Sequence, residues 1–462
     1  MKGSLNQEII FERQTAGLHL QDTPNRRGTL LLIAPSAYPL GGLATWLDYL
    51  VPGLEDKGWQ VTVGLTGGAF HNVEAYQEIH PFNKVVEITN TTGSREGRIR
   101  NLCSVIQVLS PNIVAGVNVP DTYAAVARLR MHKGYRPKVV MTIHGIQPDL
   151  YEDAKDHRTV LDAVICTNKL ACRLVREEAA LEEGRICYAP YGVELSHSRR
   201  QCSSEGLLRI AYSGRLDHFQ KRVDDIPRIL LQLKNKGIPF EFLVAGGGPA
   251  EAALREQLVS LRLSDVVRFL GVLSYTGVIE RVYHSADILL VTSLWETGPI
   301  VIWEAMAHGV AVVTSSFIGS GSEGSLKDGE NCRLFPIGDT QHAAECIESL
   351  TNPCLRKAIV DGGYRLVETR YSREQSIETW DRCFRKVIDT HAKEYISSKR
   401  NFPTKGRLDR LFGNRFAEDI RRLTGRRFNH TDPGGEWPHS YGIRQENDGS
   451  FWEKAKFLDG YV

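Results

Sequence analysis

The chain has 462 residues, too many for one core and enough for two or three domains. Its net charge is only +2 and 42 % of its residues are apolar, which excludes a disordered or fibrous protein. No apolar run approaches the roughly 20 residues of a membrane helix, and residues 1–27 lack the apolar core and cleavage site of a secretory signal. The nine cysteines stand singly without a Cys-x-x-Cys pair. Neither a disulfide framework nor a metal cluster is expected, and a reducing cytoplasm fits.

Short apolar runs alternate with helical patterns, which predicts βαβ units and parallel sheets. Leu30 to Ala34 reads as a buried strand. It enters the loop Pro39-Leu40-Gly41-Gly42, and a helix follows with Leu43, Trp46, Leu47, Leu50 and Leu54 on one face. Further strands are expected at Val61 to Leu65, Ile113 to Val117, Lys138 to Ile143, Val164 to Thr167 and Ile186 to Ala189. Helices fit Arg98 to Leu109 and Thr122 to Met131. Ser196 to Gly206 is polar and reads as an interdomain linker.

A second series begins beyond it. Strands are expected at Leu208 to Ser213, Phe240 to Ala245, Val267 to Leu270, Ile288 to Val291 and Ala311 to Thr314. Helices fit Val223 to Lys236, Ala250 to Leu261 and Pro299 to His308. From Asp361 to about Tyr395 the chain reads as helical, and the remainder, broken at Asp432-Pro433-Gly434-Gly435, as irregular or appended. Two doubly wound halves are the economical architecture.

The run from Leu294 to Gly309 carries the most chemistry. Glu296 follows a strand, where ligands bind in open α/β sheets. Pro299 suits the first helical position, Gly298 lets a ligand approach the backbone, and the free N–H groups of the turn at Ile300 can receive phosphate. Glu296 can accept hydrogen bonds from sugar hydroxyls and Glu304 from a ribose diol. Arg215 can hold a phosphate with two parallel hydrogen bonds, and Lys221 can add a point charge. No Asp-x-Asp pair occurs in the chain, so no metal or other cofactor is expected.

Glu296 and Glu304, with seven residues between them and the run ending in Glu304-Ala305-Met306-Ala307-His308-Gly309, resemble the signature of the retaining glycosyltransferases of family 4. Ser213-Gly214-Arg215-Leu216 with Gln220-Lys221-Arg222 resembles that family's diphosphate clamp. Val244 to Pro249 resembles its glycine-rich turn, Phe269-Leu270-Gly271 the element that passes the base, and Lys327 to Asn331 a later loop. Ala189 to Glu194 resembles the end of its first domain, and Glu368 to Gln375 its closing helix region. The resemblance runs from Leu30 to Lys393 and is closest after Ile210.

The resemblance implies an α/β protein of GT-B architecture, with two Rossmann-like, doubly wound domains facing a central cleft. Residues 28–200 would bind the acceptor and 201–375 the nucleotide sugar. Residues 376–400 would return to the first domain, with extensions at 1–27 and 401–462. It implies transfer of a hexose-type sugar from a UDP- or GDP-sugar to a hydroxyl acceptor in polysaccharide or glycolipid synthesis, with retention and without metal. Arg215, Lys221, Glu296 and His144 would be catalytic. Gly42, Gly271, Gly298, Pro299, Ile300 and Glu304 would bind the sugar donor, and Asn118 and His144 would lie on the acceptor side.

The first domain departs from the pattern. Family members commonly carry a histidine just after the strand matching Ile113 to Val117, and here Asn118 and Asp121 stand instead. Asn118 can only position, whereas Asp121 can take a proton or cap the helix, and the cap is favoured. His144, at a strand end beside Gly145, reads either as a cleft-facing group or as a half-buried structural histidine. Gly41-Gly42 reads as a phosphate cradle or a plain helix-entry turn. The alternative activity is a non-catalytic nucleotide-sugar or glycan-binding protein with a degenerate acceptor domain; a sugar-nucleotide epimerase ranks lower.

Residues 399–427 carry Arg407, Arg410, Arg415, Arg421, Arg422, Arg426 and Arg427 with few acids. The stretch suits phosphates of lipid headgroups or glycolipids, or is a solvated helix face. It points to a lipid-linked acceptor and to a cytoplasmic protein peripheral to the inner membrane face. No nucleic-acid partner is expected, because no aromatic platform accompanies the arginines.

Overall fold

Two parallel sheets organise the chain, as the alternation of apolar runs and helical patterns predicts. The structure is a computed structural model that describes residues 27–36, 41–67, 72–132, 135–196, 207–390, 406–427 and 448–460. Most of the expected N-terminal extension and linker, the loop residues Pro39 and Leu40, the stretch to Tyr395 and the break at Asp432 to Gly435 lie outside the described residues.

The first sheet has strands β1 (Gly28–Pro35), β2 (Trp59–Thr66), β3 (Val85–Ile88), β4 (Ile113–Val117), β5 (Lys138–Ile143), β6 (Ala163–Cys166) and β7 (Ile186–Tyr188). They lie in the order β3-β2-β1-β4-β5-β6-β7. Helices α1 (Gly42–Asp56), α2 (Val73–Ile79), α3 (Arg95–Leu109), α4 (Asp121–His132), α5 (Pro148–His157) and α6 (Lys169–Ala179) connect them. The second sheet has β8 (Leu208–Ser213), β9 (Phe240–Ala245), β10 (Val267–Gly271), β11 (Ile288–Val291), β12 (Ala311–Ser315) and β13 (Arg333–Phe335). Its order is β10-β9-β8-β11-β12-β13. Its α-helices are α7 (Ile226–Asn235), α8 (Glu251–Ser260), α9 (Tyr275–Val278), α10 (Ile300–Ala307), α11 (Ser320–Glu323), α12 (Thr340–Ser349) and α13 (Pro353–Leu366).

Central strands are buried on both faces, so they read as unbroken apolar runs rather than alternating ones. The edge strands β3 and β13 carry no such run. They are half-buried and three or four residues long, and periodicity does not reveal them. In each sheet the chain order reverses once, between β1 and β4 and between β8 and β11. Those two reversals fix where a ligand crevice opens, at the carboxyl ends of the flanking strands.

Helix α14 (Arg373–Ile388) leaves the second domain and packs on α1 of the first. Trp380 is fully buried against Trp46, with ring centroids 4.8 Å apart. Asp381 accepts hydrogen bonds from Trp59 Nε1 at 2.8 Å and from Arg27 Nη1, which anchors the return. The terminal region is helical where it is described. Helix α15 (Arg407–Thr424) lies on α3, and α16 (Gly449–Asp459) lies on α6 and α11. The core on one face of the first sheet takes in Phe451 and Trp452 of α16, together with Trp295 and Ile318 of the second domain. Among the described residues, no helix is long and apolar enough to cross a membrane.

Candidate active site

The reversal between β8 and β11 gathers Arg215, Asp217, Lys221 and Glu296 of the second domain. Beyond β8, Asp217 Oδ1 accepts hydrogen bonds from the N–H groups of Gln220, at 2.7 Å, and Lys221, at 3.1 Å. This tight turn aims Lys221 at the loop that follows β11. There Lys221 Nζ meets Glu296 Oε1 at 2.6 Å, and Ser293 Oγ donates to the same oxygen at 2.6 Å. Glu296 is buried. The two loops are also sewn together through their backbones, with Leu294 N on Gln220 O at 2.7 Å and Thr292 Oγ1 on Lys221 O at 2.7 Å. Arg215 reaches from the same loop, its Nε 3.1 Å from Asp217 Oδ2 and its Nη2 3.0 Å from Gln220 Oε1.

The glycine-rich turn supports this loop from behind. A Cβ on Gly246 would lie 1.9 Å from Gly214 O, and one on Gly248 would lie 2.3 Å from Leu216 O. Those glycines are needed so that two backbones can touch, which is a packing role. Gly271 ends β10 with φ of 70°, and open space lies where its side chain would be.

Helix α10 starts one residue later than expected. Pro299 is its N-cap rather than its first helical residue, and no side chain caps the free N–H groups at Ile300. The difference is one position, within the usual fraying of helix ends, and the turn still presents uncapped N–H groups. One turn on, Glu304 is buried and accepts a hydrogen bond from Tyr283 Oη at 2.7 Å. Burial pushes its carboxyl up to about 7, against the opposing pull of Tyr283 and Arg373.

Loops at the carboxyl ends of the two sheets meet at this point. A Cβ on Gly42 would stand 3.1 Å from Ile300 Cδ1, so the start of α1 abuts the start of α10. Thr297 Oγ1 donates to His144 O at 2.7 Å. A Cβ on Gly298 would lie 2.6 Å from Tyr191 Cδ2 of the first domain. Gly298→Ala is therefore expected to wedge the domains apart, lowering the melting temperature by several degrees and weakening ligand binding at the junction by at least about tenfold. Scanning calorimetry and a binding titration check this; an alanine protein that matches the wild type in both would contradict it.

His144 is a buried structural histidine rather than a cleft-facing group. It is buried with both ring nitrogens engaged, Nδ1 2.6 Å from Tyr191 Oη and Nε2 2.8 Å from Thr142 Oγ1. Trp46, Tyr191 and Trp380 pack around the ring. Burial pushes its pKa down to about 3, so it stays neutral. Asp121 is likewise not a helix cap: it is the first residue of α4, and its Oδ1 accepts from Arg95 Nε at 2.6 Å.

Asn118 is different. It sits at the carboxyl end of β4 in the left-handed region, with φ of 54°, and is buried. Among the described residues, neither its Oδ1 nor its Nδ2 has a hydrogen-bond partner. Strain plus two unmet polar atoms costs about 2 to 4 kcal/mol and marks a place built for something other than stability.

Three features escaped the sequence reading. Arg373, the first residue of α14, pairs with Glu194 at 2.8 Å and reaches Tyr275 Oη at 3.5 Å, a charge beside Glu304 brought from the crossing helix. Tyr191 belongs to a recognised motif, but its contacts with His144 and Gly298 join residues far apart in sequence. Helix α16 braces the Glu296 loop: Trp452 stacks on Trp295 with centroids 6.0 Å apart, and Phe219 meets Trp452 edge-on at 5.9 Å. Asp459 closes the brace, accepting from the backbone N–H groups of Gly319, Gly321 and Ser322 at 2.7, 3.2 and 2.6 Å. The capping run Asp448-Gly449-Ser450, followed by apolar Phe451, Trp452, Ala455 and Leu458, was a legible signal for this helix.

Residues 208–352 match the family model described as glycosyl transferases group 1. The matched segment lies within the second domain. The fold is GT-B: the lipopolysaccharide outer core galactosyltransferase WaaB aligns with a TM-score of 0.63 at 16 % identity, over 77 % of this chain and 99 % of that one. Anabaena Alr3699/HepE in complex with UDP and glucose aligns at 0.64 and 18 %, over 78 % and 99 %. The chain is also 33 % identical over 125 residues to the amylovoran biosynthesis glycosyltransferase AmsK of Erwinia amylovora, covering 26 % of this chain and 30 % of that protein. It is 30 % identical over 119 residues to the putative colanic acid biosynthesis glycosyltransferase WcaL of Salmonella typhimurium, covering 24 % and 29 %. In both cases the matched segment spans less than a third of the relative's length.

Proposed function

We propose that this protein transfers a hexose-type sugar from a UDP- or GDP-sugar to a hydroxyl acceptor, with retention and without metal. The observation that carries the reading is the meeting of Lys221, Glu296 and Ser293 at the strand reversal, with Arg215 in the same loop and uncapped N–H groups of α10 beside them. Two cations and free backbone donors suit a diphosphate, and a buried carboxylate beside them suits sugar hydroxyls. The relatives' names and the UDP held by Anabaena HepE support the same class.

In this reading the acceptor oxygen bonds to the anomeric carbon as the bond to the leaving diphosphate breaks. The acceptor's proton passes to the leaving phosphate oxygen on the same face, so no dedicated base is needed. Arg215 and Lys221 stabilise the charge that develops on the diphosphate, the main electrostatic task. Glu296 releases Lys221 to the phosphate and takes sugar hydroxyls in exchange. Asn118 offers its unmet amide to the acceptor, and closure of the two domains excludes water.

Released nucleoside diphosphate, measured with a panel of UDP- and GDP-sugars in EDTA, tests the proposal. Slow release from one sugar donor, lost in Glu296→Gln, supports a metal-free transferase. Tight binding with no release under any condition favours the alternative of a binding protein with a degenerate acceptor domain, which the missing first-domain histidine motivates.

Affinity for the sugar donor should depend on pH through Glu304. Its carboxyl sits at about 7 when the site is empty, and ribose hydroxyls donate to the ionised form. Binding therefore pulls the proton off. Affinity is full above about pH 7 and falls as the pH drops below it, approaching tenfold per unit. Calorimetric titrations across that range should show this slope in the wild type and a flat profile in Glu304→Gln. A flat wild-type profile would remove Glu304 from the ribose.

A further inference from the structure

We propose that helix α15 is a membrane-docking face that seats the acceptor side of the cleft on an anionic phospholipid surface. The inference deepens the glycosyl-transfer reading, since it names where a lipid-linked acceptor would be met. The argument starts from which side of α15 is occupied. Glu418 is fully buried and accepts hydrogen bonds from Thr92 and Ser94 at the start of α3. Arg421 is buried in a two-point pair with Asp409, and Arg100 holds both Asp419 and the carbonyl of Arg415. One face of the helix is thus bolted to the first domain by satisfied polar groups.

The opposite face carries side chains that have no reason to meet water. Leu411 is 75 % exposed, Phe412 52 %, Phe416 56 % and Leu423 87 %. The rings of Phe412 and Phe416 touch across the break at Gly413, with centroids 5.7 Å apart, and Leu423 lies two turns beyond Phe416 on the same stripe. Single exposed apolar residues are ordinary; four on one kinked helix are not. Exposed arginines frame the stripe. Arg407, Arg410, Arg415, Arg426 and Arg427 form no ion pair among the described residues, and the exposed acid Asp419 is already paired with Arg100. Apolar side chains rimmed by arginine match an anionic bilayer, where rings enter the acyl boundary and guanidinium groups meet phosphate. A neutral protein surface would leave those charges without partners.

Placement gives the face its purpose. The first turns of α3, on which α15 rests, follow β3 at the carboxyl edge of the first sheet. Arg95 of the same turn holds Asp121, three residues beyond Asn118 at the end of β4. The docking face therefore flanks the edge where the unmet amide of Asn118 waits.

The test is flotation of the full chain with vesicles of phosphatidylcholine alone, and with part of it replaced by phosphatidylglycerol, at low and high salt. The expected result is capture by the anionic vesicles only, weakened by salt. Phe412→Ser with Phe416→Ser, and separately Arg410→Gln with Arg415→Gln, should each weaken capture by about tenfold or more, with melting temperature and UDP-sugar binding unchanged. Equal capture of wild type and variants, or none at low salt, would overturn the proposal. So would concentration-dependent dimerisation abolished by the phenylalanine pair, which would assign the face to a second copy. Because UDP-sugar binding is read separately, failure here leaves the transferase reading standing, and failure there leaves the docking face standing.

Discussion

Lys221→Ala is expected to lower kcat/KM for sugar transfer by about a thousandfold, with kcat carrying most of the loss. A single well-placed donor of positive potential to a developing anion is worth about 10²–10³ in rate. Lys221 also carries a second task, because its ammonium neutralises buried Glu296. Removing it leaves that carboxylate with Ser293 alone, which costs about 2 kcal/mol of stability, given that Lys221 is itself a fifth exposed. The same pairing predicts the shape of a double-mutant cycle. Lys221→Ala with Glu296→Gln should be more stable than Lys221→Ala alone, and the two losses in kcat should fall well short of additive. Steady-state kinetics and thermal melts on the four proteins check this. Independent, additive effects would mean that the residues serve separate sites.

Removal of residues 448–462 should act almost as strongly from a distance. Three backbone N–H groups lose the buried carboxylate of Asp459, and Trp295 loses the face of Trp452. Stripping a charged acceptor from buried donors costs about 1.5 to 3 kcal/mol per bond, and removing a buried Trp about 3 to 5 kcal/mol. The melting temperature should fall by roughly ten degrees. The loop after β11 is held between the clamp loop and Trp452, so KM for the sugar donor should rise about tenfold or more, with a smaller change in kcat. Asp459→Ala in the full chain should give part of both effects, and Asp459→Glu should recover some of the binding. A truncated protein with unchanged melting and unchanged KM would show that α16 is a passenger.

The sequence and the structure part company in an orderly way. Segments buried on both faces announced themselves, because Ile113 to Val117 or Ile288 to Val291 leave no polar residue to blur the pattern. The order of the motifs was legible for a related reason: Arg215, Lys221, Glu296 and Glu304 are close along the chain to the strands that position them. What could not be read are contacts between distant segments. His144 has the local setting of a cleft group, and only the arrival of Trp46, Tyr191 and Trp380 from three other elements turns it into a buried hub. Asp121 looks like a cap until Arg95 of a preceding helix claims its carboxylate. Asn118 was placed on the acceptor side from its position after a strand, but its left-handed backbone and its two unmet polar atoms are properties of the folded chain alone. The terminal region reads as irregular or appended because Asp432-Pro433-Gly434-Gly435 breaks it, and its arginine-rich stretch fits a solvated helix face as well as a phosphate-binding one. In the folded chain Phe451, Trp452 and Ala455 bury at the domain junction, whereas Leu411, Phe412, Phe416, Leu423 and Phe457 remain on the surface.

Titration calorimetry of UDP-glucose and GDP-mannose, in EDTA, against the wild type and Lys221→Ala puts the central claim to its most direct test. The account predicts that one of the two sugar nucleotides binds the wild type with one site per chain. It also predicts that Lys221→Ala weakens this binding by at least about tenfold, the loss of one charge-assisted contact to phosphate. Binding of equal strength in both proteins would contradict it, because the diphosphate would then sit elsewhere than at the meeting of Lys221 and Glu296.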